Sequence, residues 1–115
     1  MMQTIHLDNR FFTTQSNSGN GEVSAETTFH YRQTGDMIFA DYAGGDIVKG
    51  HLLGKVVDNE RLEFVYHHLN RNGEIMTGQC TSYPEWNAEG KMLLREYWQW
   101  TCKDHSKGES VIVEK

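Results

Sequence analysis

Glu96 is the residue with the most chemistry in prospect. In the run 91–101 strict alternation places Met92, Leu94, Glu96, Trp98 and Trp100 on one face of a strand, and Leu93, Arg95, Tyr97, Gln99 and Thr101 on the other. If the tryptophan face turns inward, it carries one carboxylate into a largely apolar row. That carboxylate then needs a hydrogen-bond donor or a positive partner, because burying its charge alone is costly. Leu62, Phe64, Tyr66 and His68 form a comparable face on another strand. Sheet curvature can bring Tyr66 or His68 towards Glu96, with Arg32 and His30 supplied by a third.

Such a convergence makes an apolar cavity with a few orienting polar groups, the chemistry of a small-molecule pocket. The candidate ligand-binding residues are Tyr31, Arg32, Tyr66, His68, Glu96, Trp98 and Trp100. Glu96 and His68 are also the weak candidates for catalysis, as a general acid/base pair reaching one substrate. The competing arrangement is a closed core capped by a buried polar network.

Other chemistries have less to stand on. His67 and His68 are adjacent, so in a strand they point to opposite faces and do not chelate one metal together. No His-Glu-x-x-His run, cysteine cluster or acidic calcium loop is present, and no metal is expected. Cys80 and Cys102 form no Cys-x-x-Cys pair and are read as free structural thiols. Gly50-His51-Leu52-Leu53-Gly54 has two glycines on one strand face, which relieve crowding or permit a bend. No phosphate-binding glycine loop is present.

The elements that must position these residues are strands. Segments 11–15, 24–33, 37–42, 47–57, 62–69, 74–83, 91–101 and 109–114 are rich in Thr, Val, Tyr, Phe and Trp, and turn formers separate them. Asn72-Gly73 is the strongest hairpin signal, because both residues tolerate the positive φ of a primed turn. Pro84 ends its segment, since it cannot donate to a ladder. Residues 17–21 and 103–108 are candidate rim loops, offering an anion nest or a mobile entrance if they are more than ordinary hairpin connections. The most helix-compatible stretch, 86–96, is weakened by Gly90.

The expected fold is all-β: a single domain over 1–115, an antiparallel up-and-down barrel of about eight strands. A two-sheet β-sandwich is the alternative. A chain of 115 residues is long enough for one such core. Eleven basic residues against 16 acidic ones leave a net charge of −5, which disfavours nucleic acid and anionic membranes as partners. The N-terminus lacks the basic and apolar regions of a secretory signal, and no stretch is long enough for a membrane helix. Cytoplasmic localisation is the default expectation.

One resemblance runs along nearly the whole chain. Glu26-Thr27-Thr28-Phe29-His30-Tyr31, Tyr42-Ala43-Gly44-Gly45, Gly50-His51-Leu52-Leu53-Gly54, Tyr66-His67-His68, Gly73-Glu74-Ile75-Met76-Thr77-Gly78 and Glu96-Tyr97-Trp98-Gln99-Trp100-Thr101 together resemble a family of small bacterial all-β proteins often labelled N-acetylglutamate synthase. The resemblance implies a lipocalin-like architecture. Its label implies acetyl transfer from acetyl coenzyme A to glutamate, and so acetyl-CoA as cofactor; no residue roles come with it. Three readings stand: a barrel that binds a small organic ligand, an acetyltransferase using the same interior, and a structural or protein-interaction domain, with a homodimer as candidate assembly.

Overall fold

The computed structural model of the chain describes residues 5–115. Residues 1–4, part of the stretch read above for a secretory signal, lie outside the described residues. Eight strands follow one another: β1 (Arg10–Asn17), β2 (Thr28–Thr34), β3 (Met37–Gly44), β4 (Ile47–Val57), β5 (Arg61–Asn70), β6 (Ile75–Trp86), β7 (Met92–Trp100) and β8 (Lys107–Glu114). Each pairs antiparallel with the next, and β8 returns to pair with β1, closing the barrel. Closure leaves no free sheet edge to protect, and it decides against the two-sheet sandwich. Among the described residues there is no helix, so 86–96 divides between strand and turn.

Two strand boundaries and one turn differ from the sequence expectation for identifiable reasons. β2 starts at Thr28 rather than at 24, because Ser24 and Thr27 close a turn of their own: the Thr27 amide donates to the Ser24 carbonyl at 2.9 Å and the Ser24 amide to Thr27 Oγ1 at 3.0 Å. β6 runs through Pro84 to Trp86. The pairing of β5 with β6 ends at Leu62 opposite Ser82, so beyond that point β6 has a neighbour on one side only and tolerates a missing donor. The primed turn forms at Asp58-Asn59, where both residues have positive φ (54° and 48°) and the Glu60 amide donates to the Val57 carbonyl. At Asn72-Gly73 only Gly73 is left-handed (φ 78°), in a longer loop whose amides at 72 and 74 both donate to Asn70 Oδ1.

The two ends of the barrel differ. At one, Phe12, Tyr31, Ile38, Leu62, Leu94 and Ile112 are fully buried beneath Ile5 and Leu7 of the N-terminal segment. The segment is pinned there by its backbone: the Leu7 amide donates to Gln33 Oε1, and Gln33 Nε2 donates back to the Ile5 carbonyl. Burial of each of these side chains contributes about 1.5–3 kcal/mol. The other end holds bulkier, polar-tipped residues: Tyr42, Tyr66, His68, Trp98 and Trp100.

Glycines make room for those rings. A Cβ at Gly50 would enter the Tyr42 ring, one at Gly78 the Tyr66 ring, and one at Gly108 the Trp98 ring. Each ring therefore lies flat over a cross-strand glycine, as the shared face of Gly50 and Gly54 anticipated. This lets large side chains share a narrow barrel without filling it.

Candidate functional site

Because inner and outer residues alternate along every strand, the open end gathers its side chains from most of the barrel. β2 supplies Phe29, β3 Tyr42, β5 Phe64, Tyr66 and His68, β6 Cys80, β7 Glu96, Trp98 and Trp100, and β8 Ser110; Asn17 at the end of β1 and Gly21, Glu22 and Val23 of the β1–β2 connection close over them. The cavity measures about 50 Å³. At roughly 10–15 Å³ for each water-sized occupant, it has room for a compact group and not for a long substrate.

Its rings form one continuous wall. Trp100 lies edge-on to Tyr66 and to His68, each at 5.9 Å between centroids, and tilts against Trp98 at 5.4 Å. Phe29 stacks on Tyr42 at 5.0 Å.

Two polar clusters interrupt this wall. In the first, the Tyr42 hydroxyl donates to His68 Nδ1 at 2.9 Å, and His68 Nε2 donates to Glu22 Oε1 at 2.7 Å. Burial lowers the His68 pKa below 6.5, and the Glu22 carboxylate opposes that fall without cancelling it. His68 is therefore neutral at pH 7, with its proton on Nε2. Asn70 Nδ2 donates to both Glu22 oxygens, at 3.1 and 3.4 Å. The loop is thus docked on the barrel by one carboxylate. Replacing Glu22 with glutamine is expected to depress the His68 pKa further, read from its ring resonances in an NMR titration; an unchanged titration would mean that Glu22 does not dock there in solution.

In the second cluster Glu96, 6% exposed, accepts from Ser110 Oγ at 3.0 Å. Burial pushes its pKa from 4.5 up to about 7, and the Ser110 hydroxyl offsets only part of this. No lysine or arginine lines the cavity. Burial likewise pushes the Tyr31, Tyr42 and Tyr66 hydroxyls and the Cys80 thiol up, so all four stay protonated. A tyrosine held that far from ionisation makes the Tyr42–His68–Glu22 chain an orienting network rather than a source of a nucleophile.

Of the sequence candidates, Tyr66, His68, Glu96, Trp98 and Trp100 line one cavity. Glu96 and His68 do so without bonding to each other; each has its own partner. Tyr31 is fully buried deeper in the barrel, outside the lining. Arg32 does not belong to the cavity. It follows inward-facing Tyr31, so alternation sends it outside, where its Nε lies 3.2 Å from His30 Nε2 and His30 stacks on Phe11. His67 also faces out, against His51. Cys80 and Cys102 carry free thiols.

Sequence reasoning missed Glu22 and Tyr42. Tyr42 shares a strand face with Ile38 and Ala40, which alternation could have shown. Glu22 lies in a connection with no periodicity to read; its only signal was the length of the rim loop. Residues 17–21 and 103–108 do meet at this rim, where Asn20 Nδ2 donates to the Lys107 carbonyl and Trp100 Nε1 donates to the Asn20 carbonyl. Among the described residues no group of three or more His, Cys, Asp or Glu is placed to hold a metal ion.

A family model described as avidin-like protein matches residues 5–115. No curated protein matches the chain. No solved structure matches it either. The family match, over residues 5–115, overturns the resemblance to proteins labelled N-acetylglutamate synthase. The expectation of acetyl transfer and of acetyl-CoA rested on that resemblance alone and falls with it.

Proposed function

The chain belongs to the avidin-like protein family, and on that premise we propose that it binds one small organic molecule in the open end of its barrel. The observation that carries this reading is the cavity itself. Six aromatic rings enclose a space with Glu22, His68, Glu96 and Ser110 on its wall, and a loop closes its mouth. A barrel evolved only for stability would pack this end solid, as Phe12, Tyr31, Ile38, Leu62, Leu94 and Ile112 pack the opposite end.

Native mass spectrometry of untreated protein, followed by mild denaturation and mass analysis of released compounds, tests the reading. One compound recovered repeatedly at one per chain is the expected result. Apo protein in every preparation, with no small molecule altering tryptophan emission, would count against it.

The interaction reading has one observation of its own. Phe39, Leu53 and Val65 are cross-strand neighbours on the outer face of β3, β4 and β5, with exposures of 36%, 55% and 59%. The same spectra report whether two chains associate through such a surface.

A further inference from the structure

We propose that the molecule this cavity takes is an organic cation, a quaternary or protonated ammonium seated against Trp98, Trp100 and Tyr66 with Glu96 as its counter-ion. The proposal rests on the small-ligand reading above and adds the ligand's charge to it.

Carboxylate chemistry is the first argument. Two carboxylates, Glu22 and Glu96, face the cavity, and no lysine or arginine does. Glu22 is matched by donors from His68 and Asn70. Glu96 is matched by one hydroxyl, on Oε1. An ionised carboxylate offers about four acceptor positions on two oxygens, so Ser110 fills a quarter of that capacity. The side chain is more than nine-tenths buried and aimed into a cavity. A cation delivered there supplies the missing partner.

The rings are the second argument. The faces of Trp, Tyr and Phe carry negative potential and attract ammonium groups within about 6 Å of the ring centroid, most strongly where water is excluded. Trp98, Trp100 and Tyr66 stand together on the wall that holds Glu96. An anion would meet two carboxylates and the negative ring faces. A neutral molecule would leave Glu96 protonated and its charge unused. The cavity's size favours a compact head such as trimethylammonium.

Titration of the intact protein followed by tryptophan fluorescence discriminates these classes with three probes of one shape: choline, its neutral isostere 3,3-dimethyl-1-butanol, and anionic 3,3-dimethylbutyrate. At about pH 8 choline is expected to bind at least tenfold tighter than the alcohol, and the carboxylate most weakly. Choline's charge does not titrate, so its affinity should rise about tenfold between about pH 6 and pH 8 as Glu96 ionises. The other groups around Glu96 leave that rise intact. Tyr31, Tyr42, Tyr66 and Cys80 remain protonated, His68 is already neutral over most of the interval, and Glu22 stays on its own donors.

Glu96→Gln should lose the rise of choline affinity with pH and most of the preference for choline, keeping only what the ring faces supply. Ser110→Ala, a milder change, should keep the preference for choline. Equal binding of choline and the alcohol by the unaltered protein would overturn the cation and leave the small-ligand reading standing. So would a rise of choline affinity with pH that survives in Glu96→Gln. Failure of all three probes would overturn the trimethylammonium head, and the mass-spectrometric search would then decide the broader reading by itself.

Discussion

Replacing Glu96 with glutamine raises the unfolding free energy at pH 8 by about 3 kcal/mol and leaves it unchanged near pH 4.5. The carboxyl ionises around 4.5 in the unfolded chain and at about 7 in the barrel. Below 4.5 it is protonated in both states and contributes no penalty. Between 4.5 and about 7 the unfolded chain releases the proton while the folded one keeps it, so stability falls as pH rises; above about 7 the loss is complete. That interval, at 1.36 kcal/mol for each pH unit, gives the figure of about 3 kcal/mol. Glutamine accepts from Ser110 and never ionises. Paired urea-unfolding curves at the two pH values measure it, with the His68 contribution common to both proteins and cancelling. No gain at pH 8 would mean that a counter-charge or bulk water already reaches Glu96. A gain would mark a group kept at a cost to stability, the usual condition of a residue retained for binding.

What was legible in the sequence was what period two controls. Alternation placed Glu96, Trp98 and Trp100 on one face, set Tyr66 with His68, and divided His67 from His68, because a strand leaves no other choice. Arg32 shows the same rule neglected: it cannot join Tyr31 inside a barrel when it is the next residue. Loops were less legible. Asn72-Gly73 has the stronger dipeptide signal, yet the primed turn went to Asp58-Asn59, since the Asn70 side chain captured two amides at 72–74 and set a longer connection. Glu22 escaped because its position is fixed by partners 46 and 48 residues away, His68 and Asn70, and no local pattern encodes that distance.

The proposed binding role fits how the polar groups are committed. A general base needs a free lone pair aimed at the substrate and a pKa near the working pH. His68 has both nitrogens engaged, one by Tyr42 and one by Glu22. Glu96 alone has the right pKa and a free oxygen. It faces the cavity without a partner acid or an activated nucleophile beside it. One carboxylate among rings recognises charge well and performs few reactions by itself.

Trp100→Ala is expected to lower the unfolding free energy by about 3–5 kcal/mol, the range for truncating a buried tryptophan, while Trp100→Phe lowers it far less and acts on the mouth of the barrel. Trp100 has two jobs that these variants separate. Its ring, 5% exposed, packs against Tyr66, His68 and Trp98, and removing it empties the wall on which all three lean. Its Nε1–H donates to the Asn20 carbonyl at 3.1 Å and ties down the loop that carries Glu22. Phenylalanine keeps most of the wall and loses that donor, at a cost of about 1 kcal/mol. Hydrogen exchange should then quicken at amides 18–27, whereas the amides of β4 and β5 keep their protection. Because Glu22 docks on His68 and Asn70 from this same loop, a looser loop should also speed the entry and release of any occupant. Equal protection at 18–27 in Trp100→Phe and the unaltered protein would assign the closure of the barrel to Glu22 and the Asn20–Lys107 contact rather than to Trp100.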